Sequence, residues 1–202
     1  VTPSVPEAPK TYTSEVEPVD QVTLRLETDA FGGIYWGGEK AKAPRLTVSS
    51  ANPESPVAGS ATIRVTGPRG IVVLDQNQGF KLNPGETQRF HLSLPKDREG
   101  LFRVQAPIVI EGTKRDFTDT FAYFAHPHNS ALDPNSFFGV CGHFGQNKGD
   151  IPHSFDLMSK AGAKWFRDEI YWGGCEKVKG QITVPDWADR FMQPAVKHGV
   201  VP

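Results

Sequence analysis

The sequence predicts two domains of different class: an all-β immunoglobulin-like sandwich over residues 21–126, then a parallel α/β segment over 137–202. Three observations carry this. Between Gln21 and Phe124 apolar residues alternate with a period of two in short runs, and no window has helical spacing. After Phe137 short apolar runs are separated by helical stripes, the strand–loop–helix rhythm of parallel α/β folds. The polar and aromatic residues of that second segment gather where its strands end, the side on which α/β folds of this kind carry their chemistry.

In chain order, residues 1–20 carry Pro3, Pro6, Pro9 and Pro18 with no hydrophobic periodicity, and read as an extended leader. Val22, Leu24 and Leu26 then alternate with Thr23, Arg25 and Glu27, the pattern of a half-buried strand. Further strands are expected at Arg45–Ser50, Ser60–Thr66, Ile71–Asp75, Thr87–Leu94, Gly100–Ile110 and Asp116–Phe124. Turn chemistry divides them at Asn52-Pro53, Gly67-Pro68, Asn83-Pro84-Gly85 and Arg98-Glu99-Gly100. Roughly seven short strands over about 100 residues suit a two-sheet antiparallel sandwich. The stretch Phe31 to Glu39 breaks the pattern by placing three aromatics among four glycines. Tyr35 and Trp36 there form either a platform on which sugar rings stack or a plug for the sandwich edge. Residues 127–136 read as a linker.

Phe137-Phe138-Gly139-Val140 suits a strand buried on both faces. Asp150 is a good N-cap for a helix reaching Ala161, with Pro152 tolerated in its first turn and Gly162 able to end it. Phe155, Leu157, Met158 and Ala161 supply its apolar stripe. Lys164-Trp165-Phe166 re-enters the sheet, and a second helix starts near Pro185-Asp186 and ends before Gly199. Trp187, Phe191, Ala195 and Val196, with Met192 at the flank, face its core, while Pro194 predicts a kink or an early end. Gly199 to Pro202 reads as the start of a third strand.

Composition narrows the function classes. Charged residues make up 22% and hydrophobic residues 38%, as in a globular chain, and the net charge of −1 gives no electrostatic case for nucleic acid. No apolar run approaches the ~20 residues of a membrane span. The Pro/Thr/Ser/Glu-rich start resembles that of a mature exported protein, which sets the expectation of a secreted, periplasmic or cell-surface location. Cys141 and Cys175 admit either a disulfide or two free thiols. No Gly-rich phosphate loop, Gly-x-Ser-x-Gly elbow or His-Glu-x-x-His helix is present, so no cofactor is expected.

Read in order, Gly139-Val140 with His143, then Gly162, Ala163, Trp165 and Arg167, then Trp172, Glu176 and Gly180 resemble the opening of the clan A glycoside hydrolases. Asp186, Asp189 and Lys197-His198-Gly199-Val200 also fit. The resemblance covers residues 137–202 and implies the first two βα units of a (β/α)8 TIM barrel, preceded by an accessory sandwich. It implies a retaining hydrolase that cleaves O-glycosidic bonds of an oligo- or polysaccharide. Its two carboxylates, about 5 Å apart, would come from later strands, beyond residue 202. On this view the chain is the N-terminal portion of a longer enzyme, inactive alone, and its partners are a carbohydrate and the remainder of the barrel. Arg167 would sit beside the nucleophilic carboxylate, and His143, Glu169 and Trp172 would face the sugar or support the site. Glu176 is expected to be structural.

Two other readings compete. In one the chain is a non-catalytic carbohydrate-binding or cell-surface module that binds through Tyr35 and Trp36. In the other, His126, His128, His143 and His153 serve a metal-dependent hydrolase, a spacing without the strong form of a metal motif, so no metal is expected.

Overall fold

The computed structural model describes residues 12–13, 21–93, 97–127, 133, 135–146 and 148–202. The chain is mostly β and divides into two compact units, Val1–His126 and Pro127–Pro202.

In chain order the first unit contains β1 (Tyr12–Thr13), β2 (Val22–Thr28), β3 (Ile34–Trp36), β4 (Arg45–Ser50), β5 (Val57–Thr66) and β6 (Val72–Leu82). It continues with β7 (Thr87–His91), β8 (Gly100–Gln105), β9 (Ile108–Ile110), β10 (Thr113–Arg115) and β11 (Thr118–Phe124). One sheet runs β1-β2-β4-β7. The other runs β10-β9-β5-β8-β11-β3, with β6 along the second edge of β5. The period-two alternation dictates which residues meet. Val22, Leu24, Leu26, Leu46, Val48 and Phe90 of the first sheet share one core with Ile63, Val65, Phe80, Phe102, Val104, Ile108 and Phe121 of the second. Two sheets closed on a common apolar layer are a β-sandwich.

Beyond shifted strand ends and the added β10, the strand pattern departs from the expected one most clearly at three places. The Ile71–Asp75 strand extends to Leu82, because Gln76, Gln78 and Phe80 continue its alternation against β5. The Gly100–Ile110 strand is interrupted at Ala106-Pro107, where the chain leaves β8 and re-enters as β9. The Gly-rich aromatic loop contains β3, which pairs parallel to β11 with Tyr35 opposite Tyr123. Of the leader, only Tyr12–Thr13 lies among the described residues, and there it pairs antiparallel with the end of β2.

The second unit is built from β12 (Gly139–Cys141), α1 (Ile151–Lys160), β13 (Trp165–Arg167), the single turn α2 (Trp172–Cys175), the hairpin β14 (Glu176–Val178) and β15 (Gln181–Ile182), and α3 (Asp189–Lys197). β12 and β13 pair in parallel, and a parallel bridge from Trp165 to Val201 adds the next strand position. The Asp150 side chain caps α1 by accepting from the His153 N–H, and Gly162 ends the segment at φ 82°, a conformation that costs other residues a Cβ clash. Phe155 and Phe191 pack on Phe166 with ring centroids 4.9 and 6.1 Å away, and Phe144, Ala195 and Val200 complete the cluster. Ser159 is buried where Ala161 was expected, and Val196 is exposed because it falls about 100° around the helix from Ala195. The helix runs on past Pro194 to Lys197, although proline has no N–H to donate to the preceding turn. No helix among the described residues is long and apolar enough to cross a membrane.

Candidate active-site face of the second unit

Alternation along β13 sets the site. Phe166 turns into the helix-covered core at 4% exposure, so Trp165 and Arg167 point to the opposite, uncovered face. Cys141 is in register with Arg167 and shares that face. Both cysteines are free thiols.

The loops after the two strands are tied together by one carboxylate. Asp168 Oδ2 accepts the Phe144 N–H at 2.6 Å and the Gly145 N–H at 3.1 Å, while Oδ1 accepts the Glu169 N–H at 2.6 Å. The Gly142 N–H donates to the Arg167 carbonyl at 2.8 Å, which extends the strand pairing into the first loop. Gly145 has to be glycine here: a Cβ would stand 2.8 Å from the Glu169 carbonyl oxygen and 3.2 Å from the Trp187 ring. Across the same loops the Gln146 side-chain nitrogen donates to Tyr171 Oη at 2.8 Å and lies 3.4 Å from His143 Nδ1. His143 and Tyr171 are thereby coupled, and both are exposed.

Arg167 does not pair with Asp168. Its Nη2 stands 3.8 Å from Glu169 Oε1, beyond hydrogen-bond distance, with the two side chains 75% and 44% exposed. An ion pair this open holds neither group firmly. Beside it a cleft of about 340 Å³ is lined by Phe166, Arg167, Asp168, Ile170, Phe191, Met192 and Pro202.

Trp172 is 64% exposed and is held at its base: Nε1 donates to Glu176 Oε2 at 2.5 Å, and Glu176 Oε1 accepts the Gly180 N–H at 2.6 Å. The Trp-x-x-x-Glu-x-x-x-Gly spacing is therefore one hydrogen-bonded unit that joins α2 to the β14–β15 turn, and it occupies both oxygens of Glu176. Sequence reasoning missed this hairpin, and it missed Asp168, Gln146 and Tyr171 as organising residues. The signal for Asp168 was its position just after the strand, where a short carboxylate reaches the neighbouring loop's amides.

In the first unit the structure decides between the two readings of the aromatic loop, for the plug and against the sugar platform. Tyr35 is 1% exposed and Trp36 8% exposed. Tyr35 meets Phe121 edge-on at 6.2 Å and Trp36 packs on Phe124 at 5.3 Å, so neither ring offers a face to a sugar. Tyr35 belongs to the sandwich core, and Trp36, next along the strand, is covered beside Phe124. Burial also pushes the Tyr35 hydroxyl up to about 12, with the Asp29 backbone pulling the other way, and the hydroxyl has no partner at full hydrogen-bond geometry among the described residues. Of the four histidines weighed for metal, His128 lies outside the described residues, and among those residues no three His, Cys, Asp or Glu side chains are grouped to hold an ion.

No protein-family model matches the chain, and no curated protein matches it. Among solved structures it is similar to a family 39 glycoside hydrolase from the gut symbiont Bacteroides cellulosilyticus WH2. That match has 17% identity and a TM-score of 0.48, and covers 83% of this chain and 31% of that one. It is also similar to a putative β-galactosidase from Bacteroides fragilis, at 16% identity and TM-score 0.38, over 96% of this chain and 28% of that one. A CARDB domain from Pyrococcus furiosus, solved in complex with di-metal ions, matches at 13% identity and TM-score 0.37 over 55% of this chain and 95% of that domain. The chain spans under a third of the length of either hydrolase.

Proposed function

We propose that this chain is the N-terminal portion of a retaining glycoside hydrolase: an accessory immunoglobulin-like sandwich followed by the opening βα units of a (β/α)8 barrel. The observation that carries the reading is the strand-end arrangement of the second unit. Parallel strands deliver an open guanidinium (Arg167), a coupled His143–Gln146–Tyr171 set and a braced, exposed indole (Trp172) to one group of loops. Indole faces stack on the C–H faces of sugars, and the neighbouring polar groups can fix hydroxyl positions. Of the ordered residues that resemble clan A hydrolases, His143, Arg167, Trp172, Glu176 and Gly180 stand at these strand ends and in these loops. Glycosidic hydrolysis by retention needs two carboxyls about 5 Å apart. Of the three acids between positions 168 and 176, Asp168 and Glu176 are occupied by N–H donors, and Glu169 is left. In this proposal the catalytic pair is therefore supplied by strands beyond residue 202, and Arg167, His143, Glu169 and Trp172 bind substrate or support the site. In this reading the substrate is a carbohydrate and the enzyme is secreted, periplasmic or at the cell surface, a location supported by the Pro/Thr/Ser/Glu-rich residues 1–20.

The test is hydrolysis of an aryl-glycoside panel by the natural full-length protein and by the 202-residue chain. Turnover with retained anomeric configuration by the former and none by the latter is expected. Absence of turnover by the full-length protein across the panel would overturn the reading.

A further inference from the structure

We propose that the outer edge of β6 is a two-fold pairing surface for a second copy of this chain, an inference that does not depend on the glycosidase reading. β6 runs for 11 residues and pairs with β5 alone among the described residues. The Thr62 N–H of β5 donates to the Pro107 carbonyl at 3.0 Å, on the side where β5 meets β9. Successive residues of an antiparallel strand aim their backbone groups at opposite edges. Even-numbered residues of β5 therefore bond away from β6, and odd-numbered ones bond to it. The register sets Ile63 opposite Gln76, Ala61 opposite Gln78 and Gly59 opposite Phe80. Those three β6 residues spend their N–H and C=O groups on β5, so Asp75, Asn77, Gly79 and Lys81 turn theirs outward. All four are exposed.

Edges of sheets are ordinarily kept short or blunted by proline, bulges or charge. β6 has no proline, and its one pairing irregularity lies opposite Val65 and Thr66, outside the stretch from Asp75 to Lys81. Its two charges are of opposite sign, and their spacing makes the strand complementary to itself. In an antiparallel pair of copies centred on Gln78, Asp75 faces the second copy's Lys81 and Lys81 faces the second copy's Asp75. Opposite charges thus meet twice across a two-fold axis. Asn77 faces Gly79, and Gln78 meets its own equivalent, an amide that both donates and accepts. Toward the core side Leu74 stands opposite Leu82 and Gln76 opposite Phe80, so no charge meets an apolar residue. A shift of the centre to Asn77 would set Asp75 against Gly79 and Lys81 against Val73, which loses both ion pairs. Each charge is ready for its partner. Arg64 donates to Asp75 Oδ2 alone, at 3.0 and 2.6 Å, which leaves Oδ1 for an incoming cation. Lys81 lies opposite Ala58 on β5 and has no carboxylate partner among the described residues.

The experiment is sedimentation velocity on the 202-residue chain at rising concentration, up to about 1 mM, where even a weak pairing is populated. The 22.2 kDa species should give way to one of twice that mass. Lys81→Glu, which breaks no bond within the chain, and Asp75→Lys should each weaken the pairing about tenfold or more, because like charges then meet twice. Mixed in equal amounts, the two variants should pair with each other, since each supplies the charge that the other's edge has come to need. Both should keep the circular dichroism of the parent. In the parent, hydrogen exchange at the Asn77 and Gly79 amides should slow as concentration rises. The Gln76 and Gln78 amides, already bonded to β5, should not change. A chain that stays monomeric at about 1 mM would overturn the proposal. A dimer that Lys81→Glu leaves intact, or whose Asn77 and Gly79 amides exchange as fast as in the monomer, would do the same and assign the pairing to another surface. Two folded variants that do not pair when mixed would reject the two-fold register.

Discussion

The two units bury their apolar residues by opposite means. In the sandwich, both inner faces are sheet, and Leu24, Val48, Ile63, Phe102 and Phe121 meet across a closed layer. In the second unit a narrow parallel sheet is covered by helices on one face, where a string of rings from Phe144 through Phe155 and Phe166 to Phe191 forms the centre of the packing. On its other face Trp165 is exposed, and Phe137, Phe138, Ile170, Tyr171 and Trp172 are exposed nearby in sequence. Parallel sheets are ordinarily covered on both faces. The difference teaches where each unit is vulnerable: the first spreads its stability over many strands, and the second concentrates it in a few rings and a few loop bonds.

The largest effect should follow from removing the ring on which that string converges. Phe166→Ala deletes contacts to Phe144, Phe155 and Phe191 at once, and a truncation of this kind costs about 3–5 kcal/mol. Hydrogen exchange should then show amides of α1, β13 and α3 losing protection while β2, β4, β5 and β8 keep theirs. Equal loss in both units would mean that the units do not fold separately.

Next in size is Asp168→Ala. It strips the acceptor from the Phe144 and Gly145 amides, and bonds to a charged acceptor are worth about 1.5–3 kcal/mol each. The loop from Gly142 to Gln146 should loosen, exchange should rise there first, and the His143 imidazole signals should broaden. Asp168→Asn, which keeps one acceptor oxygen, should restore part of the order. A variant with wild-type exchange in that loop would show that the strand pairing alone holds it.

Much of this was legible in the sequence and the remainder was not, for physical reasons. The alternation at Val22, Leu24 and Leu26 and the cap at Asp150 are local signals, and local geometry obeyed them. The parallel pairing of β3 with β11 joins residues almost ninety positions apart, and the Gly-rich sequence around it gives no period to read. Tyr35 and Trp36 illustrate the cost: an aromatic pair in a glycine-rich loop has the same sequence whether it faces a sugar or a core. At the candidate site the charged and aromatic residues were readable, but the network was not. Gln146 and Tyr171 are polar loop residues with no spacing rule to join them, and Asp168 is one acid among several until its three N–H donors are seen.

A smaller effect is expected at the indole brace. Glu176→Gln replaces one of two acceptor oxygens with an NH2 group, so either the Trp172 or the Gly180 bond is lost, at about 1 kcal/mol in this exposed setting. Fluorescence anisotropy should fall if Trp172 gains freedom, with no change in the melting of the sandwich. A Trp172 that stays as rigid as in the wild type would assign its orientation to the hairpin backbone instead.

The smallest change, and one of opposite sign, belongs to the sandwich. The Tyr35 hydroxyl is buried with only the Asp29 backbone near it and no partner at full hydrogen-bond geometry among the described residues, so Tyr35→Phe removes a poorly compensated polar group and keeps the ring against Phe121. The variant should be as stable as the parent or more stable by up to about 1 kcal/mol. Alkali makes the test specific. An unfolded tyrosine releases its proton near 10, whereas burial holds Tyr35 to about 12. Between those values the folded state binds more protons than the unfolded one, so stability falls as pH rises, by roughly 2–3 kcal/mol in all. Below pH 10 the contribution is complete. Tyr35→Phe should lack this part of the decline, so the two melting curves, close together at pH 9, should separate by pH 12 with the variant the more stable. Parallel curves over that range would show that the hydroxyl ionises in the folded sandwich as freely as in water, and that the edge closed by β3 is open to solvent after all.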